Sequence, residues 1–567
     1  MKIIGLNHGE INSSAALAID GRVVAGAPEE RFNRVKRTRD FPAQALRYCL
    51  DFAGIDMTDC DAVAQAWNPA AHWVKYNPTI SKVRNRREDY FYSVPDNLLR
   101  FAPRKEMDWV EQSFAGGALP PVYYVTHHRC HAANAFFMSP FDEAAILTSD
   151  FRGEFESTTM GKGRGNELDI FSRQIMPNSL GMIYATFTEL LGYEPDGDEW
   201  KVMALSAFDV DCAKTLNKLK QTVNLGPNGT LEVDQSYYKG AIIDQPRLYT
   251  DKLVELLGGR VGKPGEIANE WHHEIARSMQ LLAEEIAFHF LKYLWEKTRV
   301  PNLALSGGFF MNCVVNGKIP EMTPFKNVYI SYAPADVGNS IGAALYTHHQ
   351  IKKLPRVQGF NSSSIGPSFT HKDVVATLTR RGIPYKHCNN PAETVADLLA
   401  EGEVVSVLQG RMEFGERALG NRSILADPRN NQMKDKVNAS IKYREGYRPF
   451  APATLWERAH EFFDVPEGYF CPYMEKVVPV RSQHHKNLPA IVHIDGSARL
   501  QTVRQEDNPF FHSVILHFGK KTGFPVVMNT SFNVNGEPVV CSPDDAVSTF
   551  FNSGLRYLMI EDCLISK

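Results

Sequence analysis

The 567-residue sequence lacks the features that mark several large classes of protein. Its 62 basic and 65 acidic residues give a formal net charge of −3, so no global field draws the chain to nucleic acid or to an anionic membrane. No run of about 18 apolar residues occurs, and a membrane-spanning helix is therefore not predicted. The chain also has no repeat of fixed period and no low-complexity tract. Any anion-binding site must therefore be local.

Cysteine is scarce and scattered. The nine cysteines include no C-x-x-C pair, which argues against a disulfide framework or a structural zinc site and favours a reducing compartment. The sequence starts with the strand-like residues 2–6 rather than with the charged and then apolar layout of a signal peptide. With 43% hydrophobic and 22% charged residues, the composition is that of an ordinary globular protein. We therefore expect a cytoplasmic location.

The length predicts several folding units, three or four at roughly 150 residues each. Strand patterns alternate with helical patterns over about the first 350 residues, which predicts an α/β fold with mixed sheets. Near the start, residues 15–19 and 22–26 are separated by Asp20-Gly21, a strong hairpin signal.

A change in amino-acid composition divides the chain into two parts. Residues 353–366 are rich in basic residues, proline, glycine and serine, as is typical of a linker. We therefore predict a first domain over 1–352 and a second domain over 367–567.

Three histidines follow the strand-like residues 122–125. If Thr126 begins a helix, His127 and His131 lie one turn apart on the same face, a spacing that lets two imidazoles bind one transition-metal ion. Asp150, at the end of a later strand pattern, could supply a carboxylate ligand. A hydrogen-bonded histidine cluster in the core explains the same pattern, and the spacing alone does not decide between them.

Two further segments place glycine at the end of a strand. Residues 306–312 run through Gly307-Gly308 into a helix, and residues 334–342 place Asp336 at a strand-to-helix junction. Such turns allow close approach of a ligand, and a helix N-terminus offers free N–H groups to a phosphate. A plain tight turn is the simpler explanation of the first segment, and an aspartate that caps the helix explains the second equally well.

Cations are concentrated between Arg411 and Arg448. This segment has nine Lys or Arg residues against five acidic ones, a local excess of four in a chain that is net negative. Arginine forks match phosphate oxygens, and the apolar residues interleaved among these cations favour a lined cleft over a solvated face. Arg499 and the polar cluster 529–533, which follows a strand pattern, add to this picture. Together they predict a polyphosphate pocket.

These motifs resemble those of the O-carbamoyltransferases of the NodU/CmcH family, in the same order and over essentially the whole chain. The matching motifs are S-A-A-L at 14–17, E-E-R-F at 29–32, H-H-x-x-H at 127–131, Asp150, K-V-M at 201–203, G-G-x-x-x-N at 307–312, G-E-R-A-L-G-N-R-S at 415–423, Y-R-P-F-A-P at 447–452, and N-T-S-F-N with G-E-P within 529–538.

The resemblance implies a fold and an activity. The N-terminal domain would have the two-lobed actin/hexokinase-type (ASKHA) fold of the tRNA threonylcarbamoyl transferases, and the C-terminal domain would be YrdC-like, with both domains of the α/β class. The YrdC-like domain would make carbamoyladenylate from carbamoyl phosphate and ATP with Mg²⁺. The N-terminal domain would then pass the carbamoyl group to a hydroxyl of a small-molecule acceptor, such as an antibiotic or a sugar. Neither nucleic acid nor membrane is implied as a partner, and the oligomeric state stays open.

The resemblance also assigns residues to sites. The metal ligands would be His127, His131, Asp150 and Asp336, and they would bind Fe²⁺, with Mn²⁺ or another divalent ion as the alternative. Carbamoyl phosphate and ATP would be bound by Arg417, Lys442, Arg448, Arg499, Asn529, Thr530 and Ser531, with Lys442 and Arg448 also acting in catalysis. The adenylate in the first domain would be lined by Gly307, Gly308, Asn312 and Gly338.

The sequence departs from the family pattern at three places in the first domain. Ile11-Asn12 stands where the family has His-Asp before S-A-A-L, and that histidine is the family's candidate general base. Phe151-Arg152 stands where a small turn with glycine is usual, and Trp200 replaces a glycine before the lysine of K-V-M. We therefore expect adenylate formation to be intact and acceptor chemistry to be unusual, with His8 or His128 as the base.

Two other functions are consistent with these motifs. One is a threonylcarbamoyl-type enzyme acting on tRNA, which the near-neutral charge disfavours because tRNA affinity depends on neutralising phosphates. The other is a non-catalytic regulator that binds nucleotide or metal, which the missing family histidine favours. The sequence does not identify the acceptor.

Overall fold

The computed structural model describes residues 1–10, 12–71, 87–101, 119–239, 247–357, 362–442, 447 and 450–567. The chain divides into two compact units. The first unit consists of residues 1–29 and 38–361, and the second of residues 30–37 and 362–567. The division after residue 361 falls within the segment 353–366 that the sequence marks as a linker. Nothing in the sequence indicates that residues 30–37 belong with the C-terminal unit.

The first unit is built on two five-stranded mixed sheets, with strand orders β3-β2-β1-β4-β5 and β12-β11-β6-β7-β8. Their strands are β1 (Lys2–Asn7), β2 (Ser14–Ile19), β3 (Arg22–Pro28), β4 (Ala62–Gln65), β5 (Val122–Tyr124), β6 (Glu143–Ser149), β7 (Glu156–Arg164), β8 (Glu167–Ile175), β11 (Asn302–Ser306) and β12 (Asn327–Ile330). A separate hairpin joins β9 (Val223–Gly226) to β10 (Thr230–Val233).

The two sheets have the same connectivity. In each, three consecutive antiparallel strands are followed by two strands that lie parallel to the first: β1–β2–β3 with β4 and β5, and β6–β7–β8 with β11 and β12. This repeated order in two lobes is that of the actin/hexokinase-type fold, and the fold class expected from the sequence is confirmed. The predicted hairpin at Asp20-Gly21 also forms, with φ angles of 49° and 79° at these two residues.

Helices cover the sheets of the first unit. They are α2 (Ala43–Ala53), α3 (Tyr90–Leu99), α4 (His127–Met138), α5 (Leu180–Leu190), α6 (Glu199–Leu205), α7 (Ala213–Leu219), α8 (Asp251–Leu256), α9 (Glu270–Thr298), α10 (Cys313–Met322) and α11 (Asn339–Tyr346). The long helix α9 corresponds to the amphipathic pattern in the sequence and buries Ile275, Met279, Leu282, Ile286 and Phe290.

Helix α11 lies between strand β1 and helix α4 in close contact with both. A Cβ atom on Gly5 would lie 1.8 Å from the carbonyl oxygen of Ser340, and one on Gly342 would lie 1.9 Å from the carbonyl oxygen of Cys130. No larger residue fits at either position without displacing backbone. Gly5 therefore allows the close approach of β1 to α11, and Gly342 that of α11 to α4, the two helices next to the candidate metal ligands.

The second unit is organised around a nine-stranded mixed sheet of order β13-β21-β20-β14-β15-β19-β16-β18-β17. Its strands are β13 (Lys386–His387), β14 (Val405–Leu408), β15 (Arg422–Ala426), β16 (Ala451–Leu455), β17 (Lys476–Pro479), β18 (Ser497–Val503), β19 (Val526–Ser531), β20 (Tyr557–Ile560) and β21 (Cys563–Ser566). Its helices are α1 (Glu30–Asn33), α12 (His371–Arg380), α13 (Pro391–Ala400), α14 (Met433–Val437), α15 (Ala459–Phe462), α16 (Pro509–Thr522) and α17 (Pro543–Phe551).

Both faces of this sheet are buried. Along β19, Val526 and Met528 belong to one hydrophobic core, and Val527 between them belongs to the other. The alternation follows from the two-residue period of a strand, and it explains why the first half of this strand, residues 526–528, is apolar on both faces. Among the described residues of the whole chain, no helix is both long and apolar enough to cross a membrane.

Candidate functional site

Three separate parts of the first unit bring a metal-ligand type of side chain to one place. His127 and His131 lie one turn apart on helix α4, as the sequence predicts. Asp150 follows the end of β6, and Asp336 begins a short 3₁₀ turn between β12 and α11. Asp336 is not the N-cap residue of that turn, since Ala335 takes that position, so its carboxylate does not cap the helix.

The four side chains converge on one point. His127 Nε2 lies 3.0 Å from His131 Nε2. Asp150 Oδ2 lies 2.7 Å from His131 Nε2, and Asp336 Oδ1 lies 3.3 Å from His127 Nε2 and 3.4 Å from His131 Nε2. One ligand atom from each residue lies within 4.8 Å of the others. Two imidazole nitrogens and two carboxylate oxygens at these separations fit the coordination sphere of one divalent first-row metal ion.

The hydrogen bonding of the four residues supports the fit. Asp150 Oδ2 and Asp336 Oδ1 are buried, and both face the ring nitrogens of His127 and His131 at 2.7 to 3.5 Å. The other oxygen of Asp150, Oδ1, accepts from the backbone N–H of Phe151 at 2.7 Å. One oxygen of Asp150 is thus fixed by the backbone, and the other faces the two imidazoles. Two buried carboxylates beside two buried imidazoles are costly to desolvate, and a cation bound among them would offset that cost.

The two carboxylates also control the charge of the histidines. Burial disfavours protonation of His127, but the negative charges of Asp336 and Asp150 outweigh it and raise the pKa of His127 well above its ordinary value. Conversely, burial works against ionisation of Asp150, yet hydrogen bonds to His127 and His131 hold its pKa well below the usual range. Without an ion, the site therefore retains a proton in place of a cation. Metal binding would release that proton.

Two residues that the sequence does not single out hold the ligands. Glu154, which is 1% exposed, accepts from the backbone N–H of His127 with both carboxylate oxygens at 3.1 Å. Thr126 is the N-cap residue, as expected, but its side chain makes no capping bond, so Glu154 satisfies this helix N-terminus instead. Asn339 Nδ2, at the start of α11, lies 3.5 Å from His127 Nδ1 and 3.3 Å from His131 Nε2.

The two candidate general bases are both buried and uncharged. His8 stacks on Tyr90 with ring centroids 4.8 Å apart, and burial together with the charge of Arg87 lowers its pKa to about 3. His128 Nδ1 lies 2.8 Å from Thr148 Oγ1, and burial lowers the pKa of His128 well below the ordinary value. Both imidazoles keep a lone pair at neutral pH, but their low pKa values make them weak proton acceptors.

One departure from the family pattern, Arg152, forms an ion pair with Glu10, the residue before another departure. Arg152 Nη2 lies 3.0 Å from Glu10 Oε2, and Arg87 Nη2 lies 3.3 Å from Glu10 Oε1. Burial opposes ionisation of Glu10, but the charges of Arg152 and Arg87 outweigh it and lower its pKa. Glu10 therefore carries a negative charge next to the family's histidine position. Ile11, which occupies that position, lies outside the described residues.

The glycines assigned to the adenylate lie at the metal-ligand loops. Gly307 has φ 102°, and a Cβ atom there would lie 2.1 Å from the carbonyl oxygen of Ser149. A Cβ on Gly308 would be 3.0 Å from Asp150 Oδ1, and one on Gly338 would be 2.0 Å from the carbonyl oxygen of Ala333. Asn312 caps helix α10 by accepting from Val315 N. Close backbone packing thus accounts for the glycines in this structure, and their part in binding a ligand stays a prediction.

In the second unit, the residues assigned to carbamoyl phosphate and ATP gather at the end of strand β19. Asn529, Thr530 and Ser531 are the last three residues of that strand. The buried Lys442 donates to the backbone oxygen and the side-chain oxygen of Asn533, both at 2.9 Å, and to the backbone oxygen of Ser531. Its ammonium group holds the loop after β19 in this structure.

Of the three remaining cations assigned to this site, the structure describes two, Arg417 and Arg499. Arg417 lies in the loop 415–421, and that loop reaches β19 through Ala418, whose backbone oxygen accepts from Asn529 Nδ2 at 3.2 Å. Arg499 lies on β18. Arg448 lies outside the described residues, so its assignment stays a prediction.

Arg422 is part of the same basic motif but has a structural role. Its guanidinium is fully buried and donates to the backbone oxygens of five residues, namely Pro367, Gln409, Gly410, Asn421 and Cys541. All three nitrogens are occupied, so none is left for a ligand.

A second group of ligand-type side chains lies on the surface of the second unit. His371, His387 and Asp562 bring their ligand atoms within 4.8 Å of one another. Both histidines are exposed, and Nδ1 of His371 lies 2.6 Å from Asp562 Oδ1, the length of a hydrogen bond. A surface hydrogen-bonded cluster explains this arrangement.

Comparison with known proteins relates both parts of the chain to one family. The model of the carbamoyltransferase N-terminus matches residues 2–345, and that of the carbamoyltransferase C-terminus matches residues 396–567. An uncharacterized protein of Synechocystis sp. is 34% identical over 100% of this chain and 96% of its own length. Nodulation protein NolNO of Sinorhizobium fredii is 35% identical over 98% of this chain and 79% of its own length.

A more distant relative carries an activity in its name. The 3'-hydroxymethylcephem-O-carbamoyltransferase of Amycolatopsis lactamdurans is 28% identical over 77% of this chain and 79% of its own length. The two family-model matches lie in both units of the chain.

Proposed function

The chain belongs to the carbamoyltransferase family and is a transferase of carbamoyl groups, and we propose that it transfers the carbamoyl group of carbamoyl phosphate to an acceptor hydroxyl through carbamoyladenylate. The observation that carries this proposal is the convergence of His127, His131, Asp150 and Asp336 within 4.8 Å in one unit. The cation-bearing end of β19 in the other unit supports it.

The first half-reaction belongs to the second unit. Carbamoyl phosphate and water give carbamate and phosphate, and a carbamate oxygen then attacks the α-phosphorus of ATP. The bond from that phosphorus to the β-phosphate bridging oxygen breaks, and pyrophosphate leaves with Mg²⁺. Arg417 and Arg499 stabilise the charge that develops on the phosphates, because preorganised cations act most strongly where charge develops. Lys442 keeps the loop after β19 in place.

The second half-reaction belongs to the first unit. The acceptor hydroxyl oxygen attacks the carbamoyl carbon, the bond from that carbon to the phosphate oxygen breaks, and AMP leaves while a base takes the hydroxyl proton. His127, His131, Asp150 and Asp336 would hold Fe²⁺ or another divalent ion, which supplies positive charge for a phosphate or carbonyl oxygen when it is bound. Glu154 and Asn339 keep the ligands oriented.

The acceptor is a small molecule with an accessible hydroxyl. The name of the cephem relative gives a hydroxymethyl group as its acceptor. This chain differs from the family at Ile11-Asn12 and at Phe151-Arg152, so we do not transfer that acceptor to it. Of the altered residues, Arg152 pairs with Glu10, and the charges of this pair favour an acceptor with polar groups beside the reacting hydroxyl.

The test is direct. The purified protein is incubated with ATP, Mg²⁺ and carbamoyl phosphate, and carbamoyladenylate and pyrophosphate are measured by mass spectrometry and by a coupled assay. Formation of both in equal amounts, dependent on carbamoyl phosphate, is expected. Hydrolysis of ATP without carbamoyladenylate, or no turnover at all, would refute the proposed mechanism.

A further inference from the structure

A short segment from the N-terminal part of the chain completes the second unit. Residues 30–37, which include helix α1, belong to that unit. Arg34 donates to the backbone oxygens of Val539 and Pro538 at 2.7 and 2.8 Å, and Arg31 Nη2 donates to the backbone oxygen of Gly415 at 2.9 Å. The E-E-R-F motif is thereby joined to the G-E-R and G-E-P motifs.

Arg31 has hydrogen-bonding capacity to spare. Its side chain is 4% exposed, yet Nε and Nη1 are buried and have no hydrogen-bond partner within the described ranges. The carboxylate of Glu30 lies 3.8 Å from Nε, beyond hydrogen-bond distance. Arg422, also buried, has every nitrogen occupied by backbone oxygens. A guanidinium with vacant buried donors is costly unless a ligand accepts from them.

Glu416 follows Gly415 in the chain and, like Arg31, has a buried polar atom without a hydrogen-bond partner in the described part of the chain. That atom is its Oε1. Glu416 and Arg31 influence each other electrostatically, but no ion pair within 4.0 Å joins them. Burial raises the pKa of Glu416 to about 7, against the opposing charges of Arg417 and Arg31.

We propose that Arg31 and Glu416 bind the carbamoyl group of carbamoyl phosphate, with Arg31 donating to its carbonyl oxygen and Glu416 accepting from its NH₂ group. The inference rests on the proposed function and makes it specific. A carbamoyl group has an acceptor and a donor side by side in one plane, and its two ends match the vacant N–H groups of Arg31 and the vacant carboxyl oxygen of Glu416. A phosphate, which only accepts, would be repelled by the carboxylate.

The location agrees with this role. The loop 415–421, which contains Glu416 and which Arg31 contacts through the backbone oxygen of Gly415, also contains Arg417 and touches Asn529 at the end of β19. Arg417, a cation assigned to the phosphate of carbamoyl phosphate, thus follows Glu416 directly in the chain. The pair would discriminate carbamoyl phosphate from acetyl phosphate, in which a methyl group replaces NH₂ and leaves the carboxyl oxygen unpaired.

The experiment compares the two acyl phosphates. Pyrophosphate release with ATP is measured with carbamoyl phosphate and with acetyl phosphate, for the full-length protein and for the variants Arg31→Met and Glu416→Met. We expect Glu416→Met to lower the preference for carbamoyl phosphate at least about tenfold, through its KM, because the unpaired carboxyl that rejects a methyl group is gone. Arg31→Met is expected to raise the KM of both substrates, since both carry the carbonyl oxygen. The KM of ATP should change little.

Arg34→Met is the matched control, because Arg34 anchors the same segment without a vacant donor. Equal loss of preference in Arg34→Met would show that the segment is only structural and would overturn the inference, as would an unchanged preference in Glu416→Met. Inorganic phosphate is tested as an inhibitor of both proteins. If Glu416→Met weakens its inhibition as much as it weakens the binding of carbamoyl phosphate, the site binds phosphate instead. Thermal unfolding of each variant confirms that it is folded.

Failure of the proposed function gives a different result. If the wild-type protein releases no pyrophosphate, the adenylation mechanism is refuted. Calorimetric titration with carbamoyl phosphate alone then tests the Arg31–Glu416 pair by itself. The inference holds if Glu416→Met binds carbamoyl phosphate at least about tenfold more weakly than the wild type. Equal binding by the two proteins, or no binding by either, overturns it.

Discussion

The Nε2 atom of His131 lies 2.7 Å from Oδ2 of Asp150, although these residues come from a helix and from the end of a strand in different parts of the first unit. Asp336, from a third element, faces the same imidazole at 3.4 Å. Convergence of this kind in a buried place is hard to explain by packing alone, because two carboxylates and two imidazoles would each cost desolvation energy there. A bound divalent ion removes that cost.

Asp336→Asn tests this arrangement. The substitution keeps the size of the side chain but removes one negative ligand, so we expect divalent metal affinity to fall by at least about 100-fold. Metal content by elemental analysis and titration with Fe²⁺ or Mn²⁺ measure the change. Because Asp336 lies in the first unit, pyrophosphate release from ATP and carbamoyl phosphate should stay at the wild-type level. Asp169 is exposed, and Asp169→Asn serves as the control. If the two variants lose metal affinity equally, Asp336 is not a ligand of the metal.

Glu154 makes stability depend on pH. Burial raises its pKa to about 7, from an ordinary value of 4.5, so the folded protein holds a proton that the unfolded chain releases. This contribution to the free energy of unfolding is fully present below about pH 4.5 and is lost as pH rises toward 7, by roughly 3 kcal/mol in total. Glu154→Gln keeps an acceptor for the His127 N–H but cannot ionise.

The stability of Glu154→Gln relative to wild type should therefore increase between pH 5 and about pH 7 and then level off. Unfolding in guanidinium at a series of pH values measures this difference. The exposed Glu167→Gln, on strand β8, is the comparison and should track the wild type. A constant difference across this range would show that Glu154 is ionised in the folded state.

The sequence predicts the parts of the site that depend on local geometry. The helical period alone places His127 and His131 on one face, and the strand-to-turn patterns locate Asp150 and Asp336 at the ends of their elements. That these four side chains converge depends on two sheets with the same strand order, which the alternation of elements indicates only in outline. The Asp20-Gly21 hairpin was predictable because both turn residues adopt positive φ.

Other features depend on tertiary contacts that leave no local pattern. Glu154 replaces Thr126 as the group that satisfies the helix N-terminus, and nothing in their spacing shows that choice. The E-E-R-F segment reads like any short amphipathic helix, and its place in the second unit depends on bonds from Arg31 and Arg34 to residues far along the chain. Among the basic residues of the 411–448 segment, charge does not distinguish Arg422, which is structural, from the ligand-binding candidates.

Gly342→Ala tests how closely helix α11 must approach helix α4. The new Cβ would lie 1.9 Å from the carbonyl oxygen of Cys130, one residue before His131, so one of the two helices has to move. We expect the free energy of unfolding to fall by at least about 2 kcal/mol. Metal affinity should fall as well, because Asp336 and the histidines are separated.

Gly54→Ala is the matched control for backbone strain. Gly54 has φ 62° and ends helix α2, but a Cβ atom there would have no neighbour within 4 Å. It should cost only about 1 kcal/mol, from the left-handed conformation, and leave metal affinity unchanged. Equal effects of the two substitutions would mean that α11 adapts without disturbing the ligands.

The Glu10–Arg152 ion pair links one departure from the family pattern, Arg152, to the residue before another, Ile11. If the two charges stabilise each other, Arg152→Met and Glu10→Gln should be non-additive, with a coupling energy of about 1 kcal/mol in a double-mutant cycle of thermal unfolding. Arg87 also contacts Glu10, so the single Arg152→Met variant should keep a folded site. The effect on transfer should be confined to the acceptor step, since the proposed function assigns pyrophosphate release to the other unit. Additive effects would show that the charges of Glu10 and Arg152 act independently, and acceptor selectivity would then have to be sought in each of the two residues separately.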